Sequence, residues 1–301
     1  MPRATAPHRL FRDLAAAHGP LTHLQLGELH FLLVSSADSA RQVTKTHDTA
    51  FANRPAMLAS EDLAYNSTGI IFSPYGHYWR HLRKICTAEL LSARRGLFVS
   101  SYDVTARAAV KAKTKERGEM VEILMESIKF MLKDFVDLRT DKSATTIEWA
   151  MSELIRNPSK LNKAQQEVRM VFDNKGSYID EDKFDELKYL KLIVKETLRL
   201  HPPVPLLVPR VNSRRCEING YEIPTNTRVI VNAWALGRDP EYWNDPEKFI
   251  PERFEESSID FNWSNLEYIP FGAGRRMCAG GMLLGQANME LPLALLLYHF
   301  D

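Results

Sequence analysis

Three successive stretches in the middle of the chain keep apolar residues at helical spacing, and prolines mark where that spacing stops. Ile147, Trp149, Ala150, Met151, Leu154 and Ile155 share one face until Asn157-Pro158 ends the element. A second helix is expected over 159–172 and a third over 189–200. The third halts at His201-Pro202-Pro203, because a residue that precedes proline is pushed out of the helical region. Upstream, helical patterns occupy 10–18, 36–47, 78–91, 103–113 and 120–135, a hairpin is expected over 21–26 and 30–34, and 53–74 is loop-rich. Downstream the texture changes. Short strands are expected over 206–211, 216–223 with a turn at Asn219-Gly220, and 227–231. The stretch 238–254 reads as irregular, 270–281 as a glycine-rich loop, and 282–299 as an apolar helix containing Pro292. The expected fold is mainly α with a small antiparallel β-sheet (α+β), in one domain spanning 1–301.

Composition narrows the function classes. With 39 Lys+Arg against 38 Asp+Glu, the net charge is +1, so no global field draws this chain to nucleic acid. Cys86, Cys216 and Cys278 are far apart and odd in number, which excludes a disulfide framework and a cysteine zinc site. No apolar stretch comes after the N-terminal residues, so no signal peptide is expected there. The most apolar run, 291–297, contains Pro292 and is too short to span a bilayer. The chain reads as soluble or at most peripheral to a membrane.

The most informative segment is Phe271-Gly-Ala-Gly-Arg-Arg-Met-Cys-Ala-Gly280. Glycines let a loop turn sharply and come close to a flat partner. Backbone N–H groups and a following helix N-terminus favour a thiolate at Cys278, and Arg276 can meet an anion. An axial thiolate ligand to haem iron needs this environment. A structural loop carrying a free cysteine is the competing reading of the same residues.

Two further patterns accompany the loop. Glu196-Thr-Leu-Arg199 places a carboxylate and a guanidinium on one helical face, and Pro251-Glu-Arg253-Phe254 supplies another arginine among apolar neighbours. Trp79-Arg-His-Leu-Arg83 places an indole N–H and a cation four residues apart, where both can donate to one anion. Alone, the first is an ordinary surface ion pair and the second a basic helical face with a packed tryptophan.

Together and in this order, the motifs resemble the cytochrome P-450 superfamily. Phe271, Gly274, Arg276, Cys278 and Gly280 fit its FxxGxRxCxG signature, and the ExxR and PERF elements lie at 196–199 and 251–254. The similarity is greatest to the plant microsomal group that oxidises terpenoids and other specialised metabolites. It implies Cys278 as the iron ligand. It implies Trp79, Arg83, Arg210 and Arg276 as contacts of the haem propionates. It implies Glu196, Arg199 and Arg253 as a buried structural cluster, and Asp141 as a remnant of proton delivery. Val204–Val208, Ile70–Phe72 and Ala144 become candidate substrate-facing residues. The implied cofactor is heme (iron protoporphyrin IX), with electrons from NADPH through an NADPH-cytochrome reductase. The implied substrate is an apolar small molecule, and the chain is expected to be a monomer. The family's place is the cytosolic face of the endoplasmic reticulum membrane. This chain, read as having no anchor, is expected in the cytosol or in peripheral membrane contact.

The resemblance is broken near 129–139, where the family has lid helices; the N-terminal anchor and last strands are also expected to be absent. In Leu138-Arg-Thr-Asp-Lys-Ser143, Arg139 stands where the family has the oxygen-groove glycine, and Lys142 where it has a threonine. These departures carry the alternative expectation of a catalytically impaired haem-binding remnant or a faulty gene model.

Overall fold

A computed structural model describes residues 6–56, 67–87, 140–173, 181–261, 264–280 and 286–300. The helical patterns expected over 103–113 and 120–135, and the junction near 129–139, lie outside the described residues. The chain divides into two compact units, each assembled from three separate segments.

The first unit comprises Met1–Leu90, Val204–Lys248 and Ile259–Ala279. It opens with helix α1 (Pro7–His18), whose first residue is a proline, the position where a missing N–H costs nothing. Strands β1 (Leu21–Leu26) and β2 (Leu29–Val34) form the expected hairpin, with Leu26 opposite Leu29. Helix α2 (Ala37–Arg41) is capped by Ser36, whose hydroxyl accepts the Ser39 N–H at 3.2 Å. The expected helix over 36–47 does not run through as α: Gln42–Thr46 is a π turn. Such a bulge redirects the chain beyond it, here the segment carrying Asp48. Helix α3 (His77–Ile85) comes next.

Strands β3 (Arg210–Val211), β4 (Cys216–Ile218), β5 (Tyr221–Ile223) and β6 (Arg228–Val231) complete the β-structure, and helix α7 (Ala233–Leu236) comes after them. β4 and β5 pair across Asn219-Gly220, both at positive φ (49° and 81°), as a two-residue I′ turn requires. The four-stranded sheet has the order β1-β2-β6-β3. It is not wholly antiparallel as expected, because β2 and β6 pair in parallel. Nearly two hundred residues separate them in sequence (Leu29 to Arg228), so no hairpin sets their direction. The strand expected over 206–211 shrinks to two residues. Leu207 is left-handed (φ 50°), Pro209 has no N–H, and the carbonyls of Val208 and Pro209 are taken by the Arg54 side chain at 2.7 and 2.9 Å. Val34, Ala40, Val43, Phe51, Ile218, Leu266 and Ala273 pack into one buried cluster, so the glycine-rich loop is pinned to the core through Ala273.

The second unit comprises Leu91–Pro203, Phe249–Ser258 and Gly280–Asp301. Its described helices are α4 (Thr140–Arg156), α5 (Pro158–Asp173), α6 (Lys188–Leu200) and α8 (Gln286–His299), with a 3-10 turn at Pro251–Phe254. Leu154, Ala164, Val168, Leu190, Ile193, Leu198, Leu293 and Leu297 are buried between them. The carboxylate of Glu167 on α5 accepts the N–H groups of Tyr189 and Leu190 at 2.8 and 2.9 Å, capping α6 from a neighbouring helix.

Helix α1 is held to the first unit partly by charge. The Asn232 amide donates to the His8 carbonyl at 2.9 Å, and the His8 ring lies 4.8 Å from that of Trp234. Arg12 and Arg238 flank the same indole at 5.1 and 4.1 Å and share Glu247. Burial, then Arg9, Arg238 and Arg12, hold the His8 pKa below its ordinary 6.5. A depressed histidine stabilises the fold above the unfolded-state pKa, and that stability is lost as pH falls through the folded-state value. Thermal unfolding of the wild type is therefore expected to lose stability below pH 6.5 more steeply than His8→Phe. Parallel curves for the two proteins contradict this.

Candidate functional site

The loop that carries Cys278 is built around one left-handed glycine. Gly274 has φ +66°, and a Cβ there would collide with the Thr44 carbonyl and sit 2.7 Å from Asp48 Oδ1. Only glycine fits, so the loop lies directly on the segment after the π turn. The Cys278 N–H donates to the Phe271 carbonyl at 3.0 Å and closes the loop, while the Phe271 ring meets Phe261 edge-on at 5.3 Å. Cys278 is exposed. Residues 281–285, where the helix terminus expected to activate the thiol would fall, lie outside the described residues.

Around the loop stand four arginines. Arg276 is buried; its Nε donates to the Ala52 carbonyl at 2.6 Å and its Nη2 to the Ser73 carbonyl at 2.7 Å. Its guanidinium lies 4.4 Å from the Trp79 ring centre. Arg83 donates to the Met277 carbonyl at 2.8 Å, next to the cysteine. Arg210, also buried, donates to the Ala273 carbonyl at 2.6 Å and pairs with Asp48 at 3.5 Å. Arg54 donates to the carbonyls of Ile71, Val208 and Pro209. Trp79 is buried, but its indole N–H donates to the Ile70 carbonyl at 2.8 Å, so it presents a ring face rather than a donor to this group.

The charges do not balance. Among the described residues, Asp48 is the one carboxylate paired with any of these four arginines. Burial, reinforced by Arg210 and Arg276, pushes the Arg54 pKa well below its usual value. Burial and then Arg210 and Arg83 push Arg276 down to about 10. Arg210 is lowered by burial against the pull of Asp48, and Arg83 by burial against the pull of Cys278 and Cys86. Arg276 Nη1 and the Ser73 hydroxyl are buried, with no hydrogen-bond partner among the described residues. Unpaired buried donors of this kind favour an anion. A flat cofactor with carboxylate arms and a metal that accepts a thiolate fits this donor set.

The motif at Glu196 lies in the second unit. Glu196 and Arg199 side chains are 0% exposed and joined by two bonds of 2.8 Å, from Nε to Oε2 and from Nη2 to Oε1. Oε1 also accepts the Ile250 N–H at 2.8 Å and Arg253 Nε at 3.2 Å. The predicted three-residue cluster therefore forms. Of the remaining predicted residues, Asp141 falls in the first turn of α4, where only the backbone is described, and Arg139 lies outside the described residues. Ile70–Phe72 and Val204–Val208 belong to the first unit and Ala144 to the second. Gly280 is described, with no contact that assigns it a role. Sequence reasoning missed Arg54 and Asp48. The one hint for Arg54 is a cation followed by proline just after the apolar Phe51-Ala52.

The cytochrome P450 family matches residues 2–136 and 139–301. Salviol synthase of Salvia pomifera is 39% identical over 404 aligned residues, covering 98% of this chain and 81% of that protein. Premnaspirodiene oxygenase of Hyoscyamus muticus is 39% identical, covering 98% and 82%. 5-epiaristolochene 1,3-dihydroxylase of Nicotiana tabacum is 38% identical over the same shares. A solved zebra fish cytochrome P450 with progesterone shares the fold at TM-score 0.78, with 20% identity, 97% of this chain and 91% of that one. The chain belongs to the cytochrome P450 family, whose cofactor is haem iron. The 404 aligned positions exceed the chain's 301 residues, so that relative carries internal sequence without a counterpart here.

Glu196→Ala would remove the buried carboxylate that Arg199 and Arg253 share, and is expected to cost about 3–5 kcal/mol. Urea unfolding of the haem-free chain measures this. A loss of less than about 1 kcal/mol, the scale of a surface pair, contradicts the buried-cluster account.

Proposed function

We propose that this chain is a haem-thiolate monooxygenase acting on an apolar plant metabolite of the terpenoid class. The observation that carries the reading is the unbalanced arginine group around the Cys278 loop. Cys278 would hold the iron, and Arg54, Arg83, Arg210 and Arg276 the two propionates; when bound, the haem would supply activation of dioxygen, with one oxygen atom going into a C–H bond and the other leaving as water with two electrons from NADPH and two protons. The chain's own residues do the rest. The four cations lose their mutual repulsion when carboxylates enter, and Arg276 Nη1 and Ser73 gain acceptors. Gly274 and Ala273 keep the loop low enough for the thiolate to reach a flat partner. Electrons would come from NADPH through a reductase, with the exposed α3 side chains Arg80 and Lys84 facing an acidic partner. The names of the relatives and the resemblance in sequence support an apolar, terpenoid-like substrate. No helix among the described residues is long and apolar enough to cross a membrane.

A second reading, haem binding with impaired turnover, is favoured by Arg139 and Lys142 at the family's glycine and threonine positions. A lysine donates only, so it cannot relay a proton as a hydroxyl does.

Two measurements test the proposal. The reduced carbon-monoxide difference spectrum is expected to show the red-shifted thiolate band for the wild type, for Cys86→Ser and for Cys216→Ser. Cys278→Ser is expected to lose it; a Cys278→Ser protein that keeps the band overturns the assignment. NADPH-driven turnover with a plant reductase and a terpenoid panel then separates the two readings. Product formation supports the monooxygenase, whereas NADPH consumption yielding peroxide without product supports the impaired form. A variant restoring glycine at 139 and threonine at 142 is expected to raise product yield tenfold or more, equivalent to about 1.4 kcal/mol.

A further inference from the structure

Asp48 belongs to none of the motifs, yet it is the hub of the Cys278 loop. It lies just after the π turn at Gln42–Thr46, and its side chain is 14% exposed. Both carboxylate oxygens accept the backbone N–H of Arg275, at 3.2 and 3.0 Å. Arg275 Nε lies 3.4 Å from Oδ2, and Arg210 Nη1 lies 3.5 Å from Oδ1. The neighbouring Gly274 leaves no room for a Cβ against Thr44 and Asp48. Burial raises the Asp48 pKa, with the Arg275 N–H and Arg210 opposing it. The carboxylate therefore sits in a place that disfavours its charge and is kept there by the loop it holds. The Arg275 N–H is a backbone donor three residues before the cysteine, and no other acceptor for it is found among the described residues.

We propose that Asp48 is a positioning residue for the cysteine ligand: by accepting the Arg275 backbone N–H and pairing with Arg210, it fixes the height and direction of the Gly274–Cys278 turn. The inference rests on the haem-thiolate reading, but its first consequence is a property of the chain without haem. A charge-assisted bond to a buried carboxylate protects the amide it binds. Removing the acceptor lets the turn open, and the sulfur then samples positions from which it cannot ligate.

The test uses the full-length chain as wild type, Asp48→Asn, Asp48→Ala and Arg275→Gln. Amide hydrogen exchange of the haem-free chain is read over 271–278. Asp48→Ala is expected to speed exchange at Arg275 roughly tenfold or more, and Asp48→Asn less, because its amide oxygen still accepts. Arg275→Gln keeps the backbone bond and loses only a half-exposed ion pair, so it is expected to exchange like wild type. The second readout is the reduced carbon-monoxide spectrum after reconstitution with haem, at matched haem content. Asp48→Ala is expected to shift intensity from the thiolate band to the unligated one, with Asp48→Asn intermediate. Wild-type exchange at Arg275 in Asp48→Ala overturns the proposal. So does an unchanged thiolate fraction in that variant, or an Arg275→Gln protein that matches Asp48→Ala. If Asp48→Ala fails to fold, as judged by circular dichroism, Asp48→Asn against Arg275→Gln decides by the same criteria. A wild type with no thiolate band overturns the haem reading; the exchange arm still decides the role of Asp48.

Discussion

Four arginines, Arg54, Arg83, Arg210 and Arg276, stand near the cysteine loop with one carboxylate, Asp48 on Arg210, paired to any of them among the described residues, and the first unit is arranged around that imbalance. Burying an unpaired charge costs several kcal/mol, so each arginine is wrapped in carbonyl oxygens. The acceptors are the carbonyls of Ala52, Ser73, Ile71, Val208, Pro209, Ala273 and Met277. Those bonds tie together the loop after the π turn, the segment before α3, the approach to β3, and the cysteine loop. The arginines are thus structural ties and, in the proposed reading, an anion receptor at once. Their shared repulsion is what a dicarboxylate ligand removes.

The cluster in the second unit solves the opposite problem. Glu196 is surrounded by more donors than it has charge: Arg199 twice, Arg253 and the Ile250 N–H. It is satisfied without a ligand. Among the described residues one unit holds a self-contained ion cluster and the other an incomplete one, whose buried unpaired donors are what the proposed anion site would use.

What the sequence made legible were motifs local in the chain. Cys278, Arg276 and Gly274 lie within five residues of each other, and Glu196 and Arg199 within one helical turn, so their fixed spacing could carry a family resemblance. The helices α4, α5 and α6 were legible from apolar periodicity and from the prolines at 158, 202 and 203. Four features were not. The π turn breaks a helix whose residue pattern reads as continuous, and the reason lies in the loop that packs on it. The parallel pairing of β2 with β6 joins residues far apart in sequence, as does the contact of Asp48 with Arg275. Arg54 is silent because its partners are backbone carbonyls, which carry no residue identity. For Trp79 the motif expected the indole N–H to donate to an anion, whereas the Ile70 carbonyl takes it.

The central claim is that the arginine group recognises carboxylates. The most direct test titrates the haem-free chain with haem and with haem dimethyl ester, whose propionates are uncharged. Each charge-assisted hydrogen bond is worth about 1.5–3 kcal/mol, so losing even one weakens binding at least tenfold. The account predicts tight binding of haem and binding of the ester weaker by a factor of ten or more, with Arg276→Leu narrowing the difference. Equal affinity for haem and its dimethyl ester would contradict it.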